Sequence, residues 1–132
     1  MKRIITGSQT GINAVTASVT YANASKVEVK NARKISAMFT RADHSSGSGA
    51  YEVYGSMDNG STYFALPLIT IAANTNAQNL IRVLSVSLSS NTSSMVAVEP
   101  VFCNLTHIAA QYTETTDGTA TVAFLIDEET SS

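Results

Sequence analysis

The chain has 132 residues, enough for one domain. Only 14 % of its residues are charged and the net charge is −2, so no basic stripe exists to bind nucleic acid. The longest nearly apolar run, residues 64–73, is about half a membrane span and contains a proline. The first residues lack the apolar stretch of a signal peptide, so we expect a soluble protein made in a cytoplasm.

Residues 1–11 carry one apolar pair, Ile4 and Ile5, among Thr, Gly, Ser and Gln. This composition predicts an extended N-terminal arm or a marginal first strand. Residues 12–21 then alternate apolar and polar positions, which is typical of a half-buried strand.

Two further strands follow with a period of two. Residues 26–30 place Val27 and Val29 on one face of a strand. Residues 35–41 likewise place three apolar residues on one face, Ile35, Ala37 and Phe39. The basic cluster in this region, interrupted by Glu28 and short aliphatic residues, is interpreted as a solvated strand and turn rather than a phosphate site.

A flexible loop is predicted over residues 42–50, which are rich in Ser and Gly. Residues 51–56 and 62–66 form the clearest predicted hairpin. They flank Asn59-Gly60, a pair that tolerates the positive φ angles of a tight turn.

The second half of the chain contains more short strands. We expect strands at residues 68–71, 80–88 and 95–99, with Leu84, Val86 and Leu88 sharing a face. Residues 72–79 are either a loop or one helical turn. Residues 108–112 and 119–126 predict a closing hairpin across Asp117-Gly118, followed by a frayed polar tail.

Eight or nine short strands, with no segment of helical periodicity, predict an all-β fold. One sheet face cannot bury so many apolar residues, so we expect a single-domain antiparallel β-sandwich, jelly-roll-like in its connections. The expected organisation is an arm at residues 1–11, a sandwich at 12–126 and a tail at 127–132.

The chemistry of catalysis is sparse in this chain. His44 lies between Asp43 and Ser45 in a Gly/Ser loop, which cannot hold the geometry of a catalytic triad. Cys103 and His107 lack the further ligands of a metal site, and no glycine-rich phosphate loop is present. We therefore expect no enzyme, no metal and no cofactor. A small hydrolase that uses His44 or His107 is the weakest alternative.

Two segments resemble a known group of proteins. Tyr54-Gly-Ser-Met-Asp-Asn-Gly-Ser-Thr-Tyr-Phe64 is similar to the V-x-G-S-x-D-G-x-x-W/F hairpin of small virion proteins of tailed bacteriophages. Their closing strand pair, I-R-A-x-x-T-x-x-D-G-T-A-T-V, is similar to His107-Ile-Ala-Ala-Gln-Tyr-Thr-Glu-Thr-Thr-Asp-Gly-Thr-Ala-Thr-Val122. The resemblance covers about a third of the chain. It departs where Tyr63-Phe64 replaces Trp and where alanine replaces a common basic residue.

The resemblance implies a many-copy component of a phage head or tail. We expect a non-enzymatic virion structural protein, foremost a capsid decoration (cement) or head-associated protein that binds the capsid surface and its own copies. Its expected partners are the major capsid protein or other virion proteins, with no nucleic acid and no membrane. It would be a homo-oligomer, assembled into the virion in the host cytoplasm.

The expected contact elements are the arm and the loop at residues 42–50. The candidate interface residues are Ile4, Ile5, Asp43, His44, Tyr63 and His107. The alternative hypothesis is a carbohydrate- or receptor-binding β-sandwich module of a phage tail or fibre. It would use tyrosines placed on loops, such as Tyr63 or Tyr112, because the chain has no Trp.

Overall fold

The computed structural model describes residues 2–30, 32–43, 45–71, 80–98, 104–115 and 118–131. This part of the chain contains strands and turns. The strands are β1 (Lys2–Val15), β2 (Val27–Glu28), β3 (Ala32–Ala42), β4 (Gly49–Ser56), β5 (Phe64–Ala65), β6 (Leu68–Ile71), β7 (Leu80–Val83), β8 (Val86–Leu88), β9 (Thr92–Val98), β10 (His107–Glu114) and β11 (Thr119–Ser131).

These strands form two antiparallel sheets. Sheet A has six strands in the described part of the chain, in the order β1-β11-β3-β9-β6-β7. Sheet B has the order β2-β10-β4-β5, and β8 also pairs with β4. The predicted all-β single-domain sandwich is confirmed. The described residues contain eleven strands instead of eight or nine, because elements as short as two residues, such as β2 and β5, pair within sheet B.

The two ends of the chain pair with each other. Residues 2–10 of β1 run antiparallel to residues 123–131 of β11 without interruption, and irregularities follow only after Thr10. The segments expected to be an arm and a frayed tail are therefore neighbouring strands of sheet A. The reason is that each segment satisfies the backbone hydrogen bonds of the other, which neither could do alone.

The predicted strand at residues 80–88 is wrong, because it is two strands in different sheets. β7 lies at the edge of sheet A, whereas β8 pairs with β4 in sheet B. Leu84 lies between them and is 56 % exposed, so it does not share a face with Val86 and Leu88. In the sequence, residues 80–88 look like a single strand because both β7 and β8 carry apolar residues. The chain nevertheless passes from sheet A to sheet B between these two strands.

The predicted closing hairpin is also wrong. β10 pairs with β4 and β2, whereas β11 pairs with β1 and β3. Each strand buries alternate residues, such as Ile108 and Tyr112 in β10 and Val122 and Phe124 in β11. Alternation specifies that a strand has one inward face. It does not tell whether the next strand lies beside it or in the other sheet.

The predicted hairpin at residues 51–66 is confirmed. β4 pairs with β5, and Asn59 and Gly60 both have positive φ, 59° and 90°. The Asp58 carboxylate accepts hydrogen bonds from the Ser56 hydroxyl (2.7 Å) and the Thr62 amide (2.8 Å). These bonds, with the Ser56 hydroxyl the stronger influence, lower the pKa of Asp58 to about 2.

The core contains a buried polar link between the sheets. Arg41 of β3 donates a hydrogen bond to the Glu114 carboxylate of β10 (2.9 Å) and another to the Leu88 carbonyl of β8 (3.0 Å). The Tyr112 hydroxyl donates to the same carboxylate. Burial, followed by that hydrogen bond, raises the pKa of Tyr112. Gly49 leaves room here, because a Cβ would lie 2.5 Å from the Tyr112 ring.

We expect a buried ion pair and an exposed ion pair of this protein to contribute very differently to stability. Arg41→Met should lower the free energy of unfolding by about 3–5 kcal/mol, because it leaves the Glu114 carboxylate buried beside an apolar chain. Lys30→Met is the control. It breaks an exposed pair with Glu28 at 3.9 Å, and its expected cost is about 0–1 kcal/mol. Equal urea midpoints for the two variants would contradict the structural role of Arg41.

Asp58 should contribute an acid-sensitive part of the stability. Its pKa is lower in the folded protein than its usual value of 3.8, so its contribution is complete above that pH and is lost as the pH falls toward about 2. Urea unfolding of the wild type should therefore weaken between pH 5 and pH 2 more than that of Asp58→Asn. Parallel pH profiles would show that the turn hydrogen bonds do not stabilise the fold.

Candidate functional site

The centre of the outer face of sheet A is an exposed apolar surface. Its central strands place Met38, Met95 and Leu125 outward, with exposed fractions of 40 %, 65 % and 44 %. The three residues are close because Met38 lies opposite both Met95 and Ala123 in the sheet. We call Met38, Met95, Ala123 and Leu125 the methionine patch. The sequence alone did not lead us to predict this patch.

The methionine patch contains a shallow groove of about 210 Å³, with hydroxyl residues Ser8 and Ser36 at its rim. Along the register of the sheet, the nearest charged pair is Asp127 opposite Lys34. Methionine side chains are flexible and polarizable, so they adapt to a partner surface. An exposed apolar patch with a polar rim is typical of a protein–protein contact.

A sequence signal for this patch existed. The inward positions of β3 were predicted correctly as Ile35, Ala37 and Phe39, all of which are buried. The same alternation places Met38 outward, where a long apolar residue needs an explanation. Met95 and Leu125 follow the same alternation on β9 and β11, but only the strand order brings the three residues together.

The outer face of sheet B is covered by its own chain. Tyr21, in the segment between β1 and β2, stacks on Tyr54 of β4 at 4.4 Å between ring centroids and lies 5.4 Å from Tyr63. The Lys26 ammonium lies 5.9 Å from the centroid of the Tyr63 ring. Ala109, which lies opposite Tyr54, faces outward by alternation but is fully buried.

Hydrogen bonds hold this cover in place. The Gln111 amide donates to the Glu52 carboxylate at 2.9 Å, and the Tyr21 amide donates to the Gln111 side-chain oxygen at 3.2 Å. The Tyr63 hydroxyl is buried without a hydrogen-bond partner among the described residues. Burial, with a smaller contribution from Asp58, raises the pKa of Tyr63.

The tyrosines proposed for a sugar site are not on open loops. Tyr112 was expected to be one of them, and this is wrong, because it is a fully buried inward residue of β10. Its ring lies 5.0 Å from that of Tyr51 in the core. Tyr63 is half-buried, and Tyr21 and Lys26 lie against its ring.

The predicted interface residues of sheet A do not form one site. Ile5 lies opposite Glu128, and Ala42, which precedes Asp43, lies opposite Thr119. Nine residues of β11 separate these points, which is about 30 Å along an extended strand. Asp43 is exposed with a φ of 54°, and Ile4 is beside Ile5 on β1. His44 lies outside the described residues.

Tyr63 and His107 both adjoin the turn of the β4–β5 hairpin. His107 begins β10 opposite Ser56 and is half-buried, with its Nδ1 3.1 Å from the Thr106 hydroxyl. That hydroxyl accepts a hydrogen bond from the Asn59 amide in the turn. These contacts hold the turn against sheet B, so we assign His107 a structural position.

No three His, Cys, Asp or Glu side chains of the described ranges come close enough together to hold a metal ion. Within the same ranges no helix has the length and apolar character needed to cross a membrane.

The fold has a solved counterpart. The crystal structure of the SPBc2 prophage-derived protein YomS superimposes with a TM-score of 0.67 over 96 % of each chain, at 17 % sequence identity. A second structure, from the disulfide-linked pili of Bacillus endospore appendages, gives a TM-score of 0.46 and 12 % identity over 99 % of this chain and 88 % of that one. No family model and no curated protein sequence matches the chain. The likeness to YomS is one of fold.

We expect the tyrosines on sheet B to stabilise the fold. Tyr21→Ala should lower the free energy of unfolding by about 1–3 kcal/mol, because it removes the ring contacts with Tyr54 and Tyr63. Tyr63→Phe is the control. It deletes the buried hydroxyl that lacks a partner and keeps the ring, so it should leave stability unchanged or raise it. A wild-type urea midpoint for Tyr21→Ala would contradict this role.

Proposed function

We propose that the chain is a non-enzymatic structural protein of a phage virion, and specifically a capsid decoration or head-associated protein. The observation that carries the proposal is the fold shared with a prophage-derived protein over nearly the full length of both chains. The resemblance of the β4–β5 hairpin to those of small virion proteins points in the same direction.

The proposed partner is the major capsid protein or another protein of the shell, and the proposed contact is the methionine patch. A shell surface is broad, and the outer face of sheet A offers a sheet of adjacent strands with few charges to desolvate. The opposite face of the sandwich is already occupied by the Tyr21 segment. Sheet A is therefore the face that is free to lie on a shell.

Self-association is part of the proposal. Charged residues make up 14 % of the chain, so repulsion between copies is weak. A decoration protein that binds at many equivalent positions also gains from contacts between neighbouring copies, because each contact raises the effective concentration of the next one. The resulting location is the virion, after assembly in the host cytoplasm.

Co-sedimentation with purified tailed-phage heads tests the proposal. Met95→Glu should weaken binding to the heads at least tenfold, because it places a charge in the centre of an apolar contact, and about 1.4 kcal/mol suffices for that change. Its exposure means that folding should be unaffected.

Thr113→Glu is the matched control, since it adds the same charge to an exposed position of sheet B. Binding of this variant should equal that of the wild type. A wild-type protein that ignores the heads would overturn the proposed function. Equal binding by Met95→Glu would place the contact on another surface and contradict the assignment of the methionine patch.

A further inference from the structure

Sheet A ends at β1, and the outer edge of this strand has no partner strand in the described part of the chain. The strand is regular over residues 2–10, contains no proline and carries charge only at Lys2 and Arg3. Natural edge strands usually carry charges, prolines or bulges that prevent pairing. Residues 4–10 have none of these protections.

A groove runs beside this edge, where the sandwich is open between β1 and β2. One part, of about 180 Å³, is lined by Gly7, Gln9, Ile126 and Glu128. It continues into a polar part of about 310 Å³ that shares Gln9 and Glu128 and extends to Lys26 and Lys30. The groove is the solvent-exposed end of the core.

Gly7 creates the opening of this groove. It lies opposite Ile126, a buried inward residue of β11, so a side chain at position 7 would also face inward. A Cβ built there meets no atom within 4 Å. The strand thus presents free backbone groups beside a space that its own sequence leaves empty.

We propose that β1 pairs antiparallel with β1 of a second copy of this chain, so that sheet A continues through a two-fold axis into the partner. This inference rests on the self-association in the proposed function and names the surface that carries it. Backbone hydrogen bonds of the two edges would supply the affinity, as in other cases of strand addition.

The regular stretch determines the register. Residues that lie opposite each other in the two strands must point to the same face of the sheet. Because side chains alternate between the faces, the two residue numbers of each pair must sum to an even number. Centring residues 2–10 on the two-fold axis places Thr6 opposite Thr6. It then places Ile5 of one copy opposite Gly7 of the other, and Arg3 opposite Gln9.

Charge favours the same arrangement. Among residues 2–10, the charged positions are Lys2 and Arg3. An antiparallel pair keeps the two Lys2-Arg3 ends apart, whereas a parallel pair would bring four like charges together. The charges therefore favour antiparallel over parallel pairing of the two β1 edges.

Cysteine cross-linking tests the register, in a Cys103→Ser background. Paired residues across an antiparallel ladder have Cα atoms about 4.5–5.5 Å apart, within the range of a disulfide. Thr6→Cys should therefore give a disulfide-linked dimer under mild oxidation. Ser8→Cys should not, because residue 8 pairs with residue 4 and the two cysteines would be about 13 Å apart along the strands.

A second variant tests the edge itself by light scattering over a concentration series. Gly7→Lys places an inward charge at the edge and should weaken dimerisation at least tenfold. Ser87→Lys, at an exposed position of β8, should leave it unchanged. Unfolding midpoints establish that each variant folds.

A monomeric wild type, or equal dimerisation by Gly7→Lys, overturns the inference. Binding to phage heads is measured separately. If heads bind a monomeric wild type, the pairing fails and the proposed binding to the shell stands. A third outcome is that the wild type and Gly7→Lys are both monomers and Gly7→Lys binds heads more weakly. The β1 edge would then receive a strand of another protein, which also overturns pairing with a second copy.

Discussion

The ion pair between Arg41 and Glu114 is the constraint on which the sandwich depends. Both groups are buried, and they join β3 of sheet A to β10 of sheet B, with a further bond to β8. Removing either partner would leave an uncompensated charge buried between the two sheets. The space for the ion pair comes from Gly49, and the Tyr112 hydroxyl donates a hydrogen bond to its carboxylate.

With the layers joined internally, the surfaces of the molecule serve different purposes. The Tyr21 segment packs on the outer face of sheet B. In the described part of the chain, the centre of the outer face of sheet A is exposed and its β1 edge has no partner strand. Pairing through β1 has a geometric consequence, because a two-fold axis perpendicular to a continuous sheet leaves both methionine patches on one side. A dimer would then present two patches to a shell and bind with the advantage of two linked contacts.

The sequence predicted the local structure well and the neighbours of each strand poorly. The Asn59-Gly60 turn and the inward face of β3 follow from backbone and side-chain chemistry within a few residues, and both are confirmed. The closing hairpin and the strand across Leu84 failed because alternation is identical for strands in one sheet and in two. The methionine patch combines residues from three strands, so it required the order of sheet A. The tyrosines were visible in the sequence, but Tyr112 was assigned to a loop because its burial depends on the other sheet.

Both proposed contacts lie on sheet A, which would face a shell with its outer surface and another copy with its β1 edge. Cryo-electron microscopy of tailed-phage heads incubated with the protein tests both contacts at once. We expect sandwiches in pairs, with the methionine patches toward the shell and unbroken strand density across the two β1 edges. Sandwiches bound through sheet B, or single copies with β1 exposed to solvent, would contradict this expectation.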